Sequence, residues 1–162
     1  MLLRLLKMLD DVLVTSLSYI SNDSGSVMHM LRADSPHFEK FGEIYFSTIT
    51  PGCVKGWHSH HRNIQNFTVP KGTARFTLFD DRSDSATKDK IVHIEIGIHN
   101  YVLLRLPPKV WYCFNAIGPE PALIANCTTE PYDPEESRKR DLSHPLMPST
   151  PNLPVNLKNI DE

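Results

Sequence analysis

An all-β fold, a double-stranded β-helix (jelly roll) closed as a single domain, is what this sequence predicts, and three observations predict it. Short runs with strand character recur at regular spacing, separated by Gly and Pro turns. No long helical period interrupts them in the body of the chain. A set of Gly, His and Gln residues at its centre falls at fixed intervals suited to such a barrel. The length, 162 residues, accommodates one domain with its own core.

The N-terminal run Met1-Leu2-Leu3-Arg4-Leu5-Leu6-Lys7-Met8-Leu9 is apolar, but Arg4, Lys7, Asp10 and Asp11 break it before it could span a bilayer. It lacks a small-residue cleavage site, which argues against a signal peptide. Residues 1–11 are therefore expected to form an N-terminal extension, a short amphipathic helix packed on the domain or on a partner subunit. Strand signals follow at 27–31 and 42–49. In the second, Ile44, Phe46 and Thr48 face one way and Tyr45, Ser47 and Ile49 the other. Runs at 66–69 and 74–79 flank the turn Pro70-Lys71-Gly72. The run at 91–96 alternates, with His93 and Glu95 on its polar face, and 101–106 is stopped by Pro107-Pro108. Runs at 110–114 and 122–126 complete the set, and a polar loop joins Phe79 to Lys90.

Beyond Gly118 the composition changes, with eight of the thirteen prolines between Pro119 and Pro154. Residues 134–140 read as one or two exposed helical turns. The domain is expected over 12–141, followed by a Pro-containing tail, 142–162, without strong periodicity.

Lys plus Arg number 17 and Asp plus Glu 19, a net charge of −2, so neither a nucleic-acid protein nor an acidic solvating tail is indicated. Cys53, Cys113 and Cys127 are odd in number and scattered. They offer no C-x-x-C pair for a zinc knuckle and no disulfide framework. They fit a reducing, cytoplasmic setting.

The chemistry is carried by Gly52, His58, His60, Gln65 and Gly72. Their intervals are those of the first cupin motif, G, five residues, H-x-H, three or four residues, E, six residues, G, with Gln65 replacing the acid. H-x-H on a strand sends both imidazoles to one face, here into the barrel mouth, while His61 points the other way. Tyr112 in Pro107-Pro108-Lys109-Val110-Trp111-Tyr112 stands where a second motif usually places another metal-binding His. Two histidines without a carboxylate or a third His make a poor metal site. No metal and no cofactor are expected. Imidazole can instead act as general base or acid near neutral pH. Its natural target is a C–H bond beside a carbonyl, whose enolate nearby donors can stabilise.

From Phe41 to about Glu136 the chain resembles the dTDP-4-dehydrorhamnose 3,5-epimerase family of nucleotide-sugar enzymes. Lys55-Gly56-Trp57-His58 resembles the family's R-G-L-H, and Gly72 through Asp81-Arg82 its G…D-x-R strand and turn. Ser83 to Thr87 resembles its S-P-T-type loop, Leu106 to Phe114 its I-P-x-G-x-x-H-G-F, and Pro131 to Glu135 its Y-x-P-x-x-E. A shorter epimerase-related branch, with F-G-E-I-Y-F-S, K-G-W-H and A-N-C-x-T, is closer still; these segments stand at Phe41 to Ser47, Lys55 to His58 and Ala125 to Thr128.

The resemblance implies a dTDP-linked keto-sugar substrate, a homodimer packed sheet against sheet, and no nucleic-acid or membrane partner. It implies that His58 removes the proton next to a 4-keto group. The family's enolate-holding Lys reads as Gln65, its second-motif His as Tyr112, and its proton-returning Tyr as Asn126. For the family's His-orienting Asp, Asp161 is the candidate. His60, Gln65, Asn66, Tyr112 and Asn126 are expected to line the sugar site, with Lys55 and Arg82 at the diphosphate and Trp111 and Tyr112 against sugar or base; Tyr132 is expected at the substrate, where it or a partner-chain residue is the candidate to replace the missing acid. Sugar-nucleotide 3,4-ketoisomerases are a second resemblance, through His58, His60 and Gln65, with both histidines shuttling protons. A non-catalytic sugar- or nucleotide-binding cupin is a third reading, and a metal-dependent oxygenase ranks last.

Overall fold

Alternating β-branched and aromatic residues commit most of this chain to strands whose two faces differ. The computed structural model describes residues 8–145. Its strands are β1 (Leu13–Ser16), β2 (Tyr19–Asn22), β3 (Gly25–Met28), β4 (Glu43–Ile49), β5 (Val54–His60), β6 (Gln65–Lys71), β7 (Thr73–Phe79), β8 (Ile91–Gly97), β9 (Val102–Leu106), β10 (Trp111–Ala116), β11 (Ala122–Thr128) and β12 (Ser137–Lys139). Two five-stranded antiparallel sheets form, ordered β1-β9-β6-β11-β4 and β12-β5-β10-β7-β8, with β2-β3 a separate hairpin. This is the expected jelly roll.

The sheets meet over a core drawn from both, including Ile49, Val69 and Leu104 from one and Phe76, Leu78 and Phe114 from the other. Phe67 is the aromatic hinge of that contact. Its ring lies 5.1 Å from Phe76, 5.2 Å from Tyr112 and 6.4 Å from Phe114, centroid to centroid. Burying each such side chain is worth roughly 1.5–3 kcal/mol, which holds the sheets at a fixed separation. Two motif glycines are required by backbone geometry. At Gly72 (φ +73°) a Cβ would lie 2.7 Å from the Pro121 carbonyl oxygen. At Gly56 (φ +120°) it would lie 2.7 Å from both the Tyr112 carbonyl oxygen and Cys113 Cβ. Only glycine lets β5 approach β10 this closely.

Three expectations need correcting. There is no helix among the described residues, and so none long and apolar enough to cross a membrane. Of the predicted N-terminal helix, residues 1–7 lie outside the described region. Met8 to Val12 instead make a turn into β1, because Leu9 and Val12 are drawn into the core. The helical turns expected at 134–140 are a turn followed by β12, which pairs Ser137 with His60 and Lys139 with His58. Pairing there covers the edge of β5, whose backbone groups would otherwise be unpaired. β1 and β2 were not expected, since these four-residue strands are mostly exposed and carry little alternation, and the run expected at 27–31 overlaps β3 only at Val27 and Met28. Most of the predicted tail, from 146 onward, lies outside the described residues.

Candidate active site

Side chains of both sheets line a cavity of about 900 Å³, within the range that holds a small organic ligand. Its walls differ chemically because each sheet supplies one.

The first wall comes from β5, β10 and β12. Register pairs Tyr112 with His58, and the Tyr112 ring lies between the two imidazoles, 5.8 Å from His58 and 6.1 Å from His60. His60 Nδ1 is 2.6 Å from Glu136 Oε2, and its Nε2 is 3.2 Å from the Tyr112 hydroxyl. The buried carboxylate can only accept here, so His60 Nδ1 holds a proton toward it, and this bond fixes the ring with Nε2 facing the phenol. The backbone N–H groups of Arg62 and Asn63 donate to Glu136 Oε1 at 2.6 and 2.7 Å. Burial pushes the Glu136 acid up, but these N–H groups and His60 more than offset it and hold it below the usual carboxylate range. Burial, with the Tyr45 and Glu136 charges adding, raises Tyr112 well above an ordinary phenol, so it stays protonated.

The second wall comes from β4, β6 and β11. Asn126 and Tyr45 are cross-strand partners. The Asn126 amide nitrogen donates to the Tyr45 hydroxyl oxygen at 2.8 Å and to Gln65 Oε1 at 2.6 Å. Asn126 Oδ1 accepts from the Asn66 backbone N–H at 3.1 Å. Gln65 Nε2 is buried without a partner among the described residues, and Gln65 lines the cavity. Burial raises the Tyr45 phenol, an effect the Asn126 bond opposes. Lys139 and Arg140 add cationic side chains to the lining, His144 an imidazole, and Asp133 and Asp141 acidic side chains.

Of the residues expected from sequence, Lys55, His58, His60, Gln65, Tyr112 and Tyr132 line the cavity. Asn126 is buried one layer behind, gripping two of the lining side chains. Asn66, Arg82 and Trp111 are placed elsewhere. The Asn66 amide donates to the Cys127 carbonyl. Arg82 is held by Asp80 at 2.9 Å and by the Asp10 carbonyl at 2.7 Å, locking the loop after β7 to the N-terminal turn. Trp111 packs with Val54, Trp57 and Cys113 under the guanidinium groups of Arg138 and Arg140, and donates to Asp81. Asp161 lies outside the described residues. Sequence reasoning missed Tyr45 and Glu136. The inward half of the 42–49 alternation contained Tyr45, but the pairing of β4 with β11 is what brings it to the site.

Among the described residues no group of three or more His, Cys, Asp or Glu side chains is placed to hold a metal ion. The fold is the cupin fold of the dTDP-4-dehydrorhamnose 3,5-epimerases, and the chain's relatives make it an isomerase of the epimerase type. The chain belongs to the polysaccharide biosynthesis C-terminal domain family, whose model matches residues 21–139. It is 37% identical over 133 residues, 79% of this chain and 85% of the relative, to the probable low-salt glycan biosynthesis epimerase Agl13 of Haloferax volcanii. It is 33% identical over 129 residues, 80% of this chain and 85% of the relative, to the spore coat polysaccharide biosynthesis protein SpsL of Bacillus subtilis. A crystal structure of a dTDP sugar isomerase from Desulfovibrio desulfuricans superposes with a TM-score of 0.83 at 43% identity, covering 85% of this chain and 88% of the other. Solved dTDP-4-dehydrorhamnose 3,5-epimerases at 16–21% identity share the fold.

Proposed function

We propose that this protein epimerises a dTDP-linked 4-keto-6-deoxy sugar in the making of a polysaccharide or glycan, with His58 as the base. The observation that carries the reading is the placement of His58 in a nucleotide-sugar-sized cavity that Gln65, its amide nitrogen without a partner among the described residues, lines from the facing sheet. His58 takes the proton from the carbon next to the keto group, and the electron pair moves onto the keto oxygen. Gln65 Nε2 then donates to that oxygen as its charge grows. Lys55, Lys139 and Arg140 suit the diphosphate through charge-assisted bonds. Tyr132, exposed at the mouth, suits the sugar or the base. The relatives' names, an epimerase and a dTDP sugar isomerase, support the same class.

A second reading has one observation in its favour. His58, Tyr112 and His60 sit side by side on one wall, which suits a 3,4-ketoisomerase moving a proton between neighbouring carbons on one face. NMR in D2O with dTDP-4-keto-6-deoxyglucose separates the two. Deuterium entering at C3 or C5 with inverted product, lost in His58→Ala, is the expected result. A 3-keto product favours the ketoisomerase, and dTDP binding without exchange refutes both.

The free thiols of Cys53, Cys113 and Cys127 suit a reducing compartment such as the cytoplasm. The edge strand β4, with Ile44 exposed on its outer face and Phe46 exposed beside the cavity, suits a second copy of the chain.

A further inference from the structure

We infer that Tyr45 is the proton donor on the sugar face opposite His58, an assignment that rests on the isomerase reading above. Inverting a carbon centre requires removal of a proton from one face and delivery to the other. The first wall holds His58, His60, Tyr112 and Glu136, all on one sheet or its edge. A phenol on the facing sheet is supplied by Tyr45 of β4, on the inward half of the strand with Glu43 and Ser47.

The hydrogen bonds around Tyr45 have a direction. Asn126 Nδ2 can only donate, so the phenol oxygen accepts at 2.8 Å and its own proton is not spent on that bond. Asn126 cannot turn to offer its oxygen instead. Its Nδ2 also donates to Gln65 Oε1, and its Oδ1 accepts from the Asn66 N–H. Tyr45 is thus held by a donor that leaves its O–H for the cavity and stabilises the phenolate left after donation. Of the other two cavity phenols, Tyr112 is on the same wall as His58 and already faces His60 Nε2, and Tyr132 sits on the exposed segment between β11 and β12 rather than on the facing sheet.

The step balances. His58 takes H⁺ from carbon, and the C–H electron pair forms the C=C bond of an enolate. The enolate then collapses, C=O re-forms, and the carbon takes H⁺ from the Tyr45 hydroxyl on its other face. Imidazolium and phenolate remain, and proton exchange with solvent resets both.

The test is Tyr45→Phe in D2O with dTDP-4-keto-6-deoxyglucose, read by NMR, with melting and dTDP binding as checks on folding. Inversion is expected to fall by about 10²-fold or more. His58-dependent deuterium exchange should persist with the original configuration retained. Inversion that survives Tyr45→Phe but is lost in Tyr112→Phe, Tyr132→Phe or Glu43→Gln overturns the assignment, and so does exchange falling in step with inversion. Should Tyr45→Phe not fold, Asn126→Leu gives the same readout. It should slow inversion more than exchange, and an unchanged ratio of the two overturns the proposal. A wild-type protein that exchanges nothing refutes the isomerase reading itself, and the role of Tyr45 with it.

Discussion

Buried at the edge of the cavity, the Glu136 carboxylate accepts from His60 and from two backbone N–H groups, so one charge fixes both an imidazole and a loop. Asp80 has a comparable environment. Burial pushes it up, but Arg82, Ser85 and Thr87 hold it well below the usual carboxylate range. Both groups are depressed in the folded state. Their contribution to stability is therefore full above the unfolded values, about 4, and is lost as pH falls through the lower folded values. The unfolding free energy measured in urea should drop between about pH 5 and pH 3, and Glu136→Gln should flatten that drop. An unchanged free energy across this range would refute the linkage. At this scale the sequence was legible where residues share a strand. His58, His60 and Gln65 reach the cavity because their spacing places them there. Glu136 was not legible, being 76 residues from the imidazole it orients. Nor could composition show that Arg82 and Trp111 are already engaged by Asp80, Arg138 and Arg140.

Strand β5 shows how an element aims the site. Its bulged pairing with β10 brings His58 opposite Tyr112, and Gly56 makes that approach possible. Gly56→Ala should destabilise the protein by roughly 1–3 kcal/mol and lower turnover, because the strand that carries both histidines must move. Denaturant melts and initial rates on one preparation check this, and full activity at unchanged stability would refute it. The eight strand runs read from periodicity all correspond to observed strands, with ends shifted by a few residues. β12 escaped notice because Ser137-Arg138-Lys139 has no apolar alternation and is a strand only through its pairing with β5. The same holds for the turn at Met8 to Val12, where local amphipathicity yielded to burial of Leu9.

For the molecule as a whole, one sheet ends at β4, an open edge with Ile44 and Phe46 exposed and Phe41 just before it. A homodimer closed over this region should be broken by Ile44→Asp, seen as a halved mass in sedimentation. An unchanged mass would refute that interface. β4 also presents Tyr45 on its inner side. An unsupported border strand frays, and fraying would swing the phenol away from the sugar while leaving the imidazoles across the cavity undisturbed. Dilution of the assembly should therefore be felt first as substrate that exchanges its hydrogen without changing hand, well before nucleotide affinity declines. Specific activity would then depend on protein concentration.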